Sequence, residues 1–481
     1  MKNSFSRLAS ALGGLAVMLL SAAASAGEQT CSGIKYPAPS GQKNDIVFVF
    51  DKSYVCGQFA NGDWWVSADE SGMVTLVSIQ PDAEDGANGV EVNPVSKSRQ
   101  GFDKRISGYD ASLVPGFPLR LKGDASVVKT VSVPSNKKKC RPCLQFAAVL
   151  TVVRSPVPNG ENVLRPGYFG VKKTYQPVTE DIANRLPKLP ASCCSEAKEG
   201  DFGKIARRYQ GVQLDHLEGW TGRDMHPIDN MPDYGASIAA SNAASALRFM
   251  LDDFRIGNKS HKSALLNYLQ MAADLRSMAE SGVKWPANGG HGNGRKLPLA
   301  VAATLLKDSA FLDAMRASSF SEDEQVYFSP VSQQALYGRQ CSDKQYWMGV
   351  SSGRGPRDCR DPYGYIDGGG REIGEAYQKC CTAKPWKYTA LAVELLGIRD
   401  TWRNDAFMQY VDRWVEHGVW ASPDACAPYN GKPVDYGVGY GPAKGKCVSG
   451  SGRYPGKHGA NRDSGHYDNK LAEQMWKKFK R

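Results

Sequence analysis

The sequence predicts a multidomain α and β protein, with an N-terminal β-sandwich-like domain followed by a C-terminal α/α toroid, that is, an incomplete α/α barrel. Three observations lead to this fold class: an apolar leader, hydrophobic alternation typical of strands before about residue 175, and helical periodicity after about residue 200. They divide the 481 residues into a signal peptide (1–26), the β-sandwich-like domain (27–153), a connecting arm (154–200) and the toroid (201–481).

The leader has the layout of a secretory signal. Lys2 and Arg7 precede an apolar run, and Ala24-Ser25-Ala26 forms a small-residue cleavage site. No later stretch holds about 18 uninterrupted apolar residues, the length that a membrane span needs. The sequence therefore predicts a secreted or periplasmic protein that has no contact with the membrane after cleavage.

The β-sandwich-like domain is predicted from short runs rich in β-branched and aromatic residues, separated by Gly, Pro, Asn and Asp. These runs are IVFVF (46–50), WWVSA (64–68), MVTLVSI (73–79), SVVKTVSV (126–133) and LQFAAVLTVV (144–153). The segment 154–200, rich in Pro and Lys, follows as the connecting arm.

The toroid is predicted from apolar residues at helical spacing. The helical runs are 235–254, 263–282, LAVAATLLKD (299–308), YTALAVELLG (388–397) and DAFMQYVDRWVEHG (405–418). Long glycine-rich loops join them, and in a toroid such loops gather at one mouth. No phosphate-binding loop or zinc-protease helix motif is present, and we expect neither a metal nor a cofactor.

Twelve cysteines favour disulfides, since export carries the chain into an oxidising compartment. The alternative is a zinc site made by Cys140, Cys143, Cys193 and Cys194. We expect Cys341 and Cys359 to be bridged around a surface loop. The adjacent pairs at 193–194 and 380–381 are each expected to bond elsewhere, because a ring between neighbours is strained.

The net charge predicts an anionic partner. The chain carries +11, and loss of Lys2 and Arg7 with the leader lowers +11 to +9. Long-range attraction then favours anionic partners, whether uronic acid polymers, nucleic acid or cell-surface polymers. A solubilising surface is the alternative.

Five segments of the sequence stand out: CGQFANGDWWV (56–66), VEVNP (90–94), NMPDYG (230–235), GGHGNGRKLP (289–298) and YGYIDGGGREIGEAYQ (363–378). They resemble a family of secreted bacterial proteins with a β domain and a helical toroid. The toroid is similar in kind to the α/α-barrel polysaccharide lyases that cleave alginate or glucuronan. The resemblance implies a lyase that cleaves an acidic polysaccharide by β-elimination, with no nucleic acid partner.

The chemistry of β-elimination suggests which residues act. The C5 proton of a uronic acid becomes removable when positive charge or hydrogen bonds stabilise the charge that develops on the carboxylate. His291, Asn293 and Arg295 lie close together on a glycine-rich loop, where bare backbone would allow a sugar to approach. By the resemblance, Arg371 and Tyr377 share the work, with Tyr377 as the base and Tyr234 and Tyr365 as the next candidates.

The predicted site therefore has a catalytic set and a substrate-binding set. The catalytic set is Tyr377, His291, Arg295 and Arg371. The substrate-binding set is Asn293, Lys296, His226, Asn230, Tyr234, Tyr365, Asp367 and Trp386.

Two other functions fit the sequence. A glycoside hydrolase would use a pair of carboxylates, which Asp233, Asp367, Glu372 and Glu375 could supply. A non-catalytic carbohydrate-binding surface protein would use aromatic platforms, for which Tyr346, Trp347, Trp386 and Trp402 are candidates.

Overall fold

The computed structural model describes residues 29–39, 44–134, 140–329, 333–338, 378, 380–417 and 469–480. Strands dominate its N-terminal part and helices dominate after residue 200, which confirms the predicted mixture of α and β structure at that level. The leader (1–26) and the Cys341 and Cys359 pair lie outside the described residues. Within the described part, no helix is both long and apolar enough to cross a membrane.

The N-terminal strands form one curled sheet of eight strands, where a sandwich would have two packed sheets. The strands are β1 (Gln29–Tyr36), β2 (Ile46–Gln58), β3 (Trp64–Ser67), β4 (Met73–Gln80), β5 (Val90–Val92), β6 (Leu119–Lys122), β7 (Ala125–Ser132) and β8 (Leu144–Val153). Their order in the sheet is β5-β7-β8-β3-β2-β4-β6, with β1 paired to β2. All five predicted strands are present.

Strands β7 and β8 are buried along their whole length because both faces of the sheet are covered there. Successive side chains of a strand point to opposite faces. Val127 and Leu150 accordingly pack into the core enclosed by the curled sheet, whereas Val128 and Val149 belong to the core formed with the helices. The β and helical parts thus share a hydrophobic core.

The helices pack as a layer on this second face. The helices are α1 (Asp201–Gln210), α2 (Gly235–Phe249), α3 (Lys259–Glu280), α4 (Lys296–Leu306), α5 (Ala310–Ala317), α6 (Ser321–Glu324), α7 (Ala383–Leu395), α8 (Arg399–Trp402), α9 (Asp405–His417) and α10 (Lys470–Phe479). The longest, α3, contacts α1, α4 and α5, and α2 contacts α4 and α7. This packing does not establish a ring, so the toroid stays a prediction.

Four short strands lie outside the large sheet. They are β9 (Val163–Leu164), β10 (Gln176–Pro177), β11 (Val326–Ser329) and β12 (Gln334–Tyr337), which form two small antiparallel pairs.

A buried ion-pair network links the sheet to the helices. Arg165, only 1 % exposed, donates from Nε to Asp63 at 2.7 Å and from both terminal nitrogens to Asp274 on α3 at 2.8 Å. One guanidinium therefore pairs with two carboxylates from distant parts of the chain.

The disulfides correct one prediction. Cys193 is bonded to Cys194 and Cys380 to Cys381, so the expectation that each would bond elsewhere is wrong. The peptide bond holds neighbouring Cα atoms at 3.7 Å in both pairs, which lets the two sulfur atoms meet without a distant partner. Two more bridges, Cys31–Cys56 and Cys140–Cys143, are present. The four cysteines of the alternative zinc site are thus disulfide-bonded and offer no thiolate.

Candidate functional site

Two loops form a small cleft of about 30 Å³, which we call the His291 cleft. One loop runs from Asp215 to Asp233, and the other from Lys284 to Arg295. The second loop is the glycine-rich segment that the sequence singled out, and it leads directly into α4.

Two glycines of this loop, Gly290 and Gly294, serve internal packing. Gly290 has φ +84°, and a Cβ there would lie 2.6 Å from the Cys381 carbonyl oxygen and 2.8 Å from the Tyr234 hydroxyl. Gly294 has φ +97°, and its Cβ would lie 2.4 Å from the backbone nitrogen of Ala239 in α2. The bare backbone at these positions is therefore used to fit the loop against the protein. It is not left open for a sugar.

His291 lies in the cleft between two aromatic rings. Its imidazole meets Tyr234 edge-on, with ring centroids 4.7 Å apart, and meets Trp220 edge-on at 5.8 Å. Its Nδ1 is buried and has no hydrogen-bond partner among the described residues. Burial and then the charge of Arg223 lower the pKa of His291 to about 4. The ring is therefore neutral at physiological pH.

Two arginines lie beside the indole of Trp220, a residue that is 46 % exposed. The Arg141 guanidinium lies 3.8 Å from the ring centroid and donates to Asp224 at 2.8 Å. Arg223 lies 5.6 Å from the same ring and holds Asp233 in a two-pronged ion pair. Trp220 thus lies beside two arginines, each of which is paired with a carboxylate.

Asp215 anchors the floor of the cleft. It accepts from Arg295 Nε at 2.7 Å, from Arg295 Nη2 at 2.9 Å and from the Trp285 indole at 2.9 Å. His226 Nε2 lies 3.1 Å from Asp215 Oδ1, the oxygen that also accepts from Arg295 Nη2. Burial alone would raise the pKa of Asp215, but the Arg295 charge and the hydrogen bonds from His226 and Arg295 hold it well below its usual value.

Arg295 acts inside the protein and does not face the solvent. It is 2 % exposed, and besides the Asp215 pair it donates to the carbonyl oxygens of His291 at 2.8 Å and Asn293 at 2.7 Å. These bonds tie the glycine-rich loop to the floor of the cleft. Arg295 therefore positions His291, whereas the sequence assigned it to the substrate carboxylate.

Other predicted site residues are also engaged internally. Asn293 donates to the Cys381 carbonyl oxygen at 2.8 Å and accepts from Trp386, whose side chain is fully buried. Lys296 is buried over the Trp402 ring at 4.3 Å and pairs with Asp323. The structure thus assigns these side chains to the core.

Three predicted residues, His226, Asn230 and Tyr234, belong to the first cleft loop or follow it directly. His226 lines the floor, and its Nδ1 lies 3.1 Å from the Pro232 carbonyl oxygen. Tyr234 contacts His291 and donates to the Gly289 carbonyl oxygen at 2.6 Å. Asn230 instead faces another cavity, beside α1.

Four predicted site residues lie outside the described residues: Tyr365, Asp367, Arg371 and Tyr377. The same holds for the hydrolase candidates Glu372 and Glu375, and for Tyr346 and Trp347. The fourth carboxylate, Asp233, is paired with Arg223. Of the proposed aromatic platforms, Trp386 and Trp402 are both fully buried.

Sequence reasoning missed Asp215, Trp220, Arg223 and Trp285. Asp215 and Trp285 lie 70 residues apart in the chain, and no spacing rule connects them. Trp220 and Arg223 stand in GWTGRDMHP (219–227), a loop that the sequence did single out. An exposed tryptophan next to an arginine is the signal that could have found them.

The described residues contain no cluster of three or more His, Cys, Asp or Glu side chains that could hold a metal ion. Comparisons of the chain with protein-family models, with curated proteins and with solved structures find no match. The geometry of the His291 cleft therefore carries the functional argument by itself.

Proposed function

We propose that this protein cleaves an acidic polysaccharide by β-elimination in the His291 cleft. The observation that carries the proposal is the juxtaposition of a neutral imidazole, a tyrosine hydroxyl and an exposed tryptophan flanked by two arginines. Each group matches one requirement of the reaction, namely a base, an acid and a platform that holds an anionic sugar ring.

In the proposed reaction, neutral His291 takes the C5 proton of a uronic acid residue. The electron pair of the C5–H bond forms a C4–C5 double bond, and the C4–O bond to the leaving sugar breaks. Tyr234 exchanges its hydrogen bond to the Gly289 carbonyl oxygen for one to that leaving oxygen and gives it the phenolic proton, and the proton held by His291 later restores the phenol. Arg223 stabilises the negative charge that develops on the carboxylate next to C5.

The charge that meets the substrate comes from the rim of the cleft. Arg141 and Arg223 keep side-chain exposures of 36 % and 16 %, against 3 % for Arg295. Arg141 and Arg223 are themselves paired, with Asp224 and Asp233, but these pairs are more exposed than the pair of Arg295 with Asp215. A substrate carboxylate therefore disturbs them at a lower cost than it would disturb the buried pair. We therefore assign the carboxylate contact to Arg223 and Arg141.

The test is incubation with a panel of mannuronan, guluronan, glucuronan and host glycosaminoglycans. We expect ultraviolet absorbance from the unsaturated uronate with at least one polymer. New reducing ends without that absorbance would show hydrolysis by a carboxylate pair. Binding without cleavage would show a carbohydrate-binding surface protein. Either of these results would contradict elimination.

Trp220→Ala should weaken polysaccharide binding about tenfold, as expected when an aromatic anchor at the centre of a site is truncated. Thermal stability should change little, because nearly half of the indole is already exposed. Phe328→Ala is the matched control, since Phe328 is equally exposed at 46 % and does not line the cleft. Calorimetric titration of both variants gives the comparison. Equal affinities would remove Trp220 from the binding site.

A further inference from the structure

A second cavity, which we call the α1 cavity, opens between α1 and the sheet. Its volume is about 640 Å³, within the range of about 300–1,000 Å³ typical of small-molecule sites. The loop 226–233 contributes to both places: His226 and Asp233 line the His291 cleft, whereas Asp229 and Asn230 line the α1 cavity.

One wall of the α1 cavity is cationic. Lys204, Arg207 and Arg208 all line it, and their spacing places them on one face of α1. All three side chains are exposed. Neither arginine forms an ion pair with a described residue, and the nearest carboxylate oxygen to Lys204, on Asp201, is 3.9 Å away. The charges of Arg207 and Arg208 are therefore not compensated by an ion pair with a described residue.

The inner side of the α1 cavity offers hydrogen-bond acceptors that have no donor. Asn230 is 7 % exposed, and its Nδ2 donates to the Gly211 carbonyl oxygen at 2.6 Å, which leaves Oδ1 without a partner among the described residues. Asp229 accepts from Gln145 through Oδ1, but its buried Oδ2 also lacks a partner there. Both oxygens are shielded from solvent, so a ligand hydroxyl reaches them only if the Asp229–Asn230 segment shifts. Because a buried acceptor without a donor costs about 1–3 kcal/mol, such a contact would recover that cost.

The remaining wall is apolar and aromatic. Tyr36 and Phe146 line it together with Pro37 and Pro39. The Tyr36 hydroxyl is already engaged, since it donates to the Val149 carbonyl oxygen and accepts from the Trp64 backbone nitrogen. Tyr36 therefore offers only its ring to a ligand, beside Phe146 and the two prolines. Such surfaces suit the C–H face of a sugar ring.

We propose that the α1 cavity is a second binding site, which takes a short anionic oligosaccharide with its carboxylates on Arg207 and Arg208 and its hydroxyls on Asp229 and Asn230. The requirement for negative charge and hydroxyl donors comes from the cavity itself, and the choice of uronic acid as the sugar rests on the proposed function. The site is separate from the reacting groups, so it holds substrate or product without cleaving it.

The test is calorimetric titration of the full chain in the Trp220→Ala background, in which binding in the His291 cleft is expected to be about tenfold weaker. The probes are a mannuronate trisaccharide, the corresponding neutral mannose trisaccharide and inorganic phosphate. We expect saturable binding of the mannuronate trisaccharide and at least tenfold weaker binding of the other two. Equal affinity for phosphate would reduce the cavity to a simple anion site, and equal affinity for the neutral sugar would exclude a role for charge. Both results would overturn the proposal.

Arg207→Ser/Arg208→Ser should weaken binding of the mannuronate trisaccharide at least tenfold in the same background. Lys259→Ser/Lys262→Ser is the matched control, because it removes two exposed cations at the start of α3, away from the cavity lining. Unchanged affinity in the arginine variant would overturn the proposal. The outcome is independent of cleavage, because a protein that cleaves no polymer but binds this probe through Arg207 and Arg208 would contradict the lyase and retain the second site.

Discussion

His291→Gln is expected to lower polysaccharide turnover by about 100- to 10,000-fold, the range that a positioned general base contributes. Glutamine keeps a polar side chain of similar reach but has no nitrogen that accepts a proton. Thermal unfolding should change little, because the Nδ1 of His291 makes no hydrogen bond with the described residues. Initial rates of unsaturated product formation and melting temperatures measure the two effects. Ala287→Ser, in the same loop and outside the cleft lining, should keep both values.

The pH dependence gives a second measurement on the same residue. Since burial lowers the pKa of His291 to about 4 from the ordinary value of 6.5, the neutral imidazole persists well below neutral pH. The base is present above about pH 4 and is lost as the pH falls through that value. The rate should therefore stay high where an ordinary histidine becomes protonated. An acid limb near 6.5, or near-normal turnover in His291→Gln, would assign the base to another residue, for which Tyr377 is the candidate from sequence.

Arg165→Met is expected to lower the free energy of unfolding by about 3–5 kcal/mol, as when one partner of a buried ion pair is removed. The reason is that Asp63 and Asp274, 7 % and 3 % exposed, would be left buried without their shared cation. Methionine retains most of the aliphatic volume, so loss of packing is a minor contribution. Urea unfolding curves measure the change.

Two controls separate charge from packing in this experiment. Arg316→Met removes an arginine whose side chain is 55 % exposed and whose partner Asp313 is 66 % exposed, and it should change stability far less. Adding Asp274→Asn to Arg165→Met should restore part of the lost stability, because it removes one of the stranded charges. A loss in Arg165→Met no larger than in Arg316→Met would show that the network does not stabilise the fold.

Much of the secondary structure was predictable because it is locally encoded. The runs at 144–153 and 73–79 correspond to β8 (Leu144–Val153) and β4 (Met73–Gln80). The helix predicted at 263–282 is present but begins earlier, at Lys259. Asn258 caps it by accepting from the backbone nitrogens of Ser260 and His261. The period of a pattern thus identified the element, and a capping side chain decided where it begins.

The arrangement of those elements was not predictable in the same way. A single curled sheet, in which β3 pairs parallel to β8, depends on contacts between residues such as Trp65 and Thr151 that are far apart in the chain. Hydrophobic alternation says which side of a strand is buried but not which strand lies beside it. The strands were therefore predicted correctly, but the sandwich was not, because the large strands form one sheet and a sandwich has two.

The sequence by itself determined that a polar, glycine-rich loop with His291 would precede a helix, and that GWTGRDMHP would form a second polar loop. Only the tertiary structure decided what each side chain does. It buries Arg295 against Asp215, assigns Asn293 to the core and leaves His291 beside Tyr234. The physical reason is that burial and partners, which are set by residues distant in sequence, decide whether an arginine charge is available to a ligand or consumed within the protein.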